Sequence, residues 1–432
     1  MFITRLNTVI LSAVFFLTCL SAEPVKVSVK WGEKIGVSQF EAGITLTHVN
    51  FDDPKAEPGA VERAKVLVTN ACRFQNQHIM GWGVGNPNPS PDVYDFAALD
   101  KRVALMRSMG AEIVITLCAA PDWMKGLPEG ATDWSKIEKA PLPEHYADFA
   151  KLSAKIAQRF PDVKYFQVWN EMKGFYISGK VKWDAPNYTK FYNLVYDALK
   201  AVNPKIQVGG LYLILEGTGS KKSEAGEYAE EPLIERDANA IRHWVANMKG
   251  ADFICFDRSL AAWHDPLRPK YTAEDLLPLT GLTAKVVREV KAMTDLPIWF
   301  SEYYALPTLE LDVQNAALSS VTLHLIASGA AKGLLWNPMQ GEANLKNYLF
   351  TDTRKSGGAQ PVAFYASFKA FNDLFKPGTD LYSATSSSPM VEVIAGKNGA
   401  ILINKNKAET AVVFDGKALA LQPLEVRVIP PL

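Results

Sequence analysis

From about residue 40 onward the chain alternates between two hydrophobic rhythms. Short apolar, β-prone runs fall at residues 43–48, 71–75, 112–118, 165–169, 207–212, 252–256, 298–301 and 333–336. Between them lie longer stretches with apolar residues three and four apart, such as FAALDKRVALMRSMG, HYADFAKLSAKIAQRF, NYTKFYNLVYDALKAV and VQNAALSSVTLHLIASG. The first rhythm predicts buried strands and the second amphipathic helices. Regular strand–helix alternation implies parallel strands joined by helical crossovers. Eight such strands between residues 40 and 375 predict a closed (β/α)8 barrel, in the α/β class, rather than an open sheet. No Gly-rich phosphate loop follows the first strand, which counts against a dinucleotide fold.

After Phe375 the rhythm changes. MVEVIAG, GAILINKN, TAVVFDG and LEVRVIPPL are short strand-like runs separated by Gly, Asn and Lys turns. They predict a small antiparallel β domain over residues 376–432, too short for a comfortable independent sandwich. The strand-like VKVSVKW, within residues 23–39, is expected to join it and so bring both chain ends together.

The first 22 residues read as an export signal: Arg5, then the apolar run VILSAVFFLTCL, then the small pair Ser21-Ala22. That predicts a secreted or periplasmic protein. Cys19 raises lipoprotein anchoring, but Phe16-Leu17-Thr18 matches the required small residues poorly. Nothing else resembles a membrane span. The remaining Cys72, Cys118 and Cys255 are too far apart for zinc-ligand spacing and make no disulfide framework. The six His are also scattered, so neither a metal nor an organic cofactor is expected. With 46 basic and 46 acidic residues there is no net field to attract nucleic acid or anionic lipid. The oligomeric state is left open.

Two acids draw attention. Glu171 ends the run in VKYFQVWNEMKGFY, and Glu302 ends that in DLPIWFSEYYALP. In a barrel of this kind catalytic groups sit at the C-terminal ends of strands, whereas Glu41 and Glu112, at strand starts, face the bottom. One acid after one strand is ordinarily a helix cap or surface charge. Two on separate strands, each amid aromatics, meet the needs of glycosidic bond cleavage, where one carboxyl donates a proton and another attacks or stabilises the sugar carbon. Their environments must hold their pKa values apart. The following loops carry His78, Trp82 and Trp123, whose flat faces would suit sugar rings, although loop Trp residues also serve as scaffold. A carbohydrate is therefore the expected partner.

These residues also carry a family resemblance. Trp169-Asn170-Glu171 resembles the strand-four signature of clan A glycoside hydrolases, which are retaining (β/α)8 enzymes. FQVWNEMKGFY and PIWFSEYY are most similar to family 39, the β-xylosidase and α-L-iduronidase group, and YDFAALDKRVALMRSMGAEIVITLCAAPDWM resembles that family's second helix and third strand. The resemblance implies Glu171 as general acid/base and Glu302 as nucleophile. It implies Asn170 against the sugar 2-hydroxyl, Arg73 steadying the nucleophile, and Trp336 as an aromatic platform. It also implies carboxyl groups about 5–5.5 Å apart. Strand six departs from the family, which tends to place a His and a Tyr there. ADFICFDRSLAAWHD puts Asp257 and Ser259 at those places, with His264 further on. The supporting hydroxyl is either missing or comes from another residue such as Tyr304; His264 either replaces the family His or lies on the surface. A catalytically silent sugar-binding protein and a transglycosylase share the same residues and compete with the hydrolase reading.

Overall fold

The computed structural model describes residues 23–47, 51, 53–177, 180, 182–215, 233–260, 271–305, 309–341 and 346–431. The expected leader at 1–22 and His264 lie outside the described residues. Eight parallel strands close into a barrel in chain order: Glu41–Thr45, Phe74–His78, Glu112–Leu117, Tyr165–Val168, Gln207–Ile214, Phe253–Arg258, Ile298–Tyr303 and Lys332–Trp336. The eighth pairs with the first, Lys332 opposite Glu41 through Trp336 opposite Thr45, so no edge is left open. Here these are barrel strands one to eight.

Local chemistry sets the helices between them. Ala185–Val202 starts on Asp184, whose carboxylate accepts from the Asn187 amide at 3.3 Å, with Pro186 in its first turn. Leu311–Ser328 stops at Gly329, in the left-handed region at φ 79°. Pro58–Ala71, between strands one and two, is a helix that the pattern along the chain does not reveal.

The barrel interior has two layers of different chemistry. At the bottom, Phe74, Phe253, Trp299 and Leu334 form an apolar plug, with Phe253 stacked on Trp299 at 15°. Gly209 makes room for that stack, since a Cβ there would lie 2.0 Å from the Phe253 ring. Above the plug runs a polar belt. Asn76 donates to Thr45 at 3.0 Å, Thr116 donates to Asn76 at 2.8 Å, Gln167 donates to Thr116 at 2.8 Å, and Ser301 donates to Gln167. These buried groups satisfy one another across five strands and fix the floor of the upper cavity.

The second unit is a seven-stranded sheet in the order Lys417–Leu421, Thr410–Phe414, Val25–Val37, Asp380–Ser386, Val391–Gly396, Gly399–Asn404 and Val426–Ile429. It is antiparallel except where Val25–Val37 runs parallel to Thr410–Phe414. Helix Leu311–Ser328 joins it to the barrel: His324 lies 3.0 Å from Glu392, which also takes Lys405 at 2.6 Å. Among the described residues no helix is long and apolar enough to cross a membrane.

Candidate active site

Strand four ends in a turn that reverses the usual sidedness of its residues. Trp169, Glu171 and Met172 all adopt positive φ, at 73°, 52° and 47°. Each such non-Gly position costs roughly 1–3 kcal/mol, which the surroundings must offset. Trp169 supplies much of that. Its buried ring packs edge-on against Phe149, Phe175 and Phe191, and its indole donates to the Lys173 carbonyl at 2.7 Å. With Trp169 turned outward, Glu171 and Asn170 are released to the barrel mouth.

Strand seven delivers Glu302 by another device. Trp299 points inward, so simple alternation would send Ser301 and Tyr303 in and Glu302 out. Pairing with strand six instead shifts by one residue at Ser301, as in a β-bulge: Phe300 faces Phe256 and Glu302 faces Asp257. Tyr303 then joins the outer core. Strand five carries a matching shift at Tyr212, at φ 39°, which turns that phenol into the interior.

Three carboxylates therefore meet. Glu171, Asp257 and Glu302 each present an oxygen within 4.8 Å of the others. The glutamates keep 7% exposure each, and Asp257 has none. Among the described residues these acids are also the group able to surround a cation, and a cation side chain is already present. Lys173 reaches Glu171 at 2.6 Å and Glu138 at 2.7 Å. Asn170 donates to Glu171 at 3.3 Å, and the Tyr304 hydroxyl donates to Glu302.

The charges are divided unequally. Burial pushes the Glu171 carboxyl up, but Asp257 and the Lys173 ammonium outweigh it, and the net displacement is downward. Glu302 goes well up through burial and the Glu171 charge, against weaker opposition from Lys173 and Tyr212. Asp257 goes well up through burial and then Glu302. His78 is lowered to about 4 by burial and is neutral near pH 7. An acid raised in the folded state keeps its proton after the unfolded chain has lost it. Stability present below the unfolded value, about 4.3, is therefore lost as pH climbs towards the folded value. Glu302→Gln should leave the melting temperature unchanged near pH 4 and raise it by a few degrees near pH 7. Equal shifts in melts at the two pH values would assign the effect to packing instead.

The aromatic wall forms around His78 at the end of strand two. Its ring lies 4.6 Å from Trp82 and 5.6 Å from Trp336, which meet each other at 88°. His78 Nε2 stands 3.4 Å from Asn170 Oδ1, tying the wall to the carboxylates. Trp123 belongs to the loop layer: it donates to the Asn88 carbonyl at 3.0 Å and meets His145 edge-on. Ser259 donates to the Ala305 carbonyl, and the hydroxyls that face Glu302 are those of Tyr304 and Tyr212.

Arg73 is a correction. Strand two begins at Phe74, so Arg73 precedes it at the bottom of the barrel. There, 62% exposed, it lies 3.3 Å from Glu41 and 3.9 Å from Glu112. It cannot steady Glu302 at the other end, and among the described residues Glu302 has no ion pair. Lys173 and Tyr212 are site residues that motif reasoning passes over, and Asp257 enters it only as a departure from the family pattern, with no role given to it. Asp257 does carry a signal, since it ends strand six just as the two glutamates end theirs.

No family model matches the chain, and no curated protein matches it. Solved structures do. A glucosidase from Croceicoccus marinus superimposes with a TM-score of 0.58 at 16% identity, over 94% of this chain and 84% of its own. SrfJ from Salmonella typhimurium gives 0.63 at 12%, over 94% and 92%. A monomeric β-xylosidase from Caulobacter crescentus gives 0.56 at 14%, over 88% and 76%. At these identities the likeness defines the fold: a (β/α)8 barrel with an accessory β domain, the architecture seen in clan A glycoside hydrolases.

Proposed function

We propose that this protein is a retaining glycoside hydrolase acting on an oligo- or polysaccharide after export from the cytoplasm. The observation that carries the reading is the meeting of Glu171 and Glu302, from strands four and seven, with oxygens within 4.8 Å at the barrel mouth. The wall of His78, Trp82 and Trp336 beside them offers apolar faces for a sugar ring. Fold neighbours that bear the names glucosidase and β-xylosidase support it.

In the first step a Glu302 oxygen attacks the anomeric carbon and the bond to the leaving oxygen breaks. A proton from Glu171 neutralises that oxygen. In the second step Glu171 takes a proton from water, the water oxygen bonds to the same carbon, and the ester to Glu302 breaks. Asn170, held between His78 and Glu171, is placed to bond a sugar hydroxyl as positive charge develops on the ring. Tyr304 stabilises the Glu302 charge before attack and loses that role once the ester forms.

A panel of aryl glycosides and plant and algal polysaccharides, with the anomer of the first product read by NMR, tests the reading. Cleavage with retained configuration is expected; no cleavage anywhere in the panel, or an inverted first product, would overturn it. Arg73→Ala, at the far end of the barrel, should leave turnover within about two-fold and change stability by less than about 1 kcal/mol. A large loss of activity would mean that Arg73 reaches the site after all.

A further inference from the structure

The proposed mechanism needs a proton on Glu171, and the unliganded site is biased against one. Lys173 at 2.6 Å and Asn170 at 3.3 Å both favour an ionised Glu171. Asp257 offers the missing proton. It stands opposite Glu302 in the strand pairing, is fully buried, and among the described residues no donor reaches either of its oxygens. The groups facing it are Glu302 from strand seven, Glu171 and Lys173 from the strand-four turn, and the Tyr212 phenol from strand five. The one cation among them is already engaged by Glu171 and Glu138. A carboxyl stranded beside two others without a donor is stable when it holds a proton.

Resting on the hydrolase reading, we infer that Asp257 stores the proton that Glu171 delivers to the leaving group, passing it across their contact as Glu302 bonds to the sugar. Between Glu302 and Asp257 the proton belongs to Asp257, because Tyr304 donates to Glu302 and none of the described residues donates to Asp257. Burial and the neighbouring Glu302 charge push Asp257 up in the same sense. The charges balance through the step. Before it, Glu171 and Glu302 are anionic and Asp257 neutral. After it, Glu302 is a neutral ester, Glu171 and Asp257 are anionic, and Lys173 is unchanged. Forming the ester removes the repulsion that kept Asp257 protonated, so transfer and attack favour one another. During hydrolysis a water proton passes through Glu171 back to Asp257 as the ester bond returns its electron pair to Glu302.

Asp257→Asn tests this on two glycosides of whichever sugar the wild type cleaves. The methyl glycoside needs an acid to leave, and kcat/KM should fall on the order of 100-fold. The dinitrophenyl glycoside needs none, and its loss should stay below about 10-fold. Equal losses on both would make Asp257 merely structural and overturn the inference. At neutral pH an infrared difference spectrum should show a protonated carboxyl band in the wild type that the variant lacks. Absence of that difference overturns the inference whether or not a substrate is found, whereas failure of the wild type to cleave any glycoside overturns the hydrolase reading alone. Turnover abolished by a chelator and restored by a divalent cation would make the three acids a metal site and also overturn it. Asp257→Ser serves in the same assays if the amide does not fold.

Discussion

Glu302→Ala should lower turnover of natural glycosides by on the order of 10⁴–10⁶-fold while leaving the barrel folded. The size follows from the role: without a carboxylate on that face, no covalent intermediate forms, and the two-step path is closed. The fold should survive because Glu302 has no ion pair among the described residues, and burial makes its charge a cost to the folded state. Azide supplies the decisive control. A small anion placed where the carboxylate was would attack an activated aryl glycoside directly and give a glycosyl azide of inverted configuration. Rescue with retained configuration, or near-normal activity without azide, would remove Glu302 from the nucleophilic role.

Glu171→Ala should produce a different pattern, and the contrast separates the two carboxyls. Loss of the proton donor costs roughly 10²–10⁴-fold on a substrate with a poor leaving group and little in the first step on a good one. The second step still lacks its base. An activated substrate should therefore give a burst equal to the enzyme present, followed by slow release, with the glycosylated enzyme visible by mass spectrometry. Azide should now speed release and give a product of retained configuration, because it intercepts the covalent intermediate. A variant with no burst and inverted azide product would exchange the roles of the two residues. The Lys173 ammonium left behind in this variant loses one of its two carboxylate partners, and some loss of stability is expected alongside.

Much of the architecture was legible along the chain because it rests on local periodicity. All eight barrel strands overlap short β-prone runs, and Glu171 and Glu302 stand at the ends of two of them. Strand two shows where such reading slips. Its residues, FQNQH, are wholly buried yet mostly polar, because Asn76 belongs to the hydrogen-bonded belt inside the barrel. The apolar signal lies a few residues earlier, so the expected strand started too soon, and Arg73 was assigned to the mouth when it belongs to the base. Helix Pro58–Ala71 was missed for a related reason: its inner face is largely alanine, with Val68 the one large side chain that it buries.

What the sequence by itself determined was the alternation of strands and helices, the small terminal sheet, and two acids at strand ends. These follow from side-chain polarity repeated every two or every three to four residues, which neighbours along the chain decide. Only the tertiary structure decided which way those acids face and what surrounds them. The one-residue shifts at Ser301 and Tyr212, the outward turn of Trp169, and the arrival of Asp257 and Lys173 beside the glutamates depend on contacts between strands far apart in sequence. Protonation in such a site is set by distance and burial, and both are properties of the closed barrel.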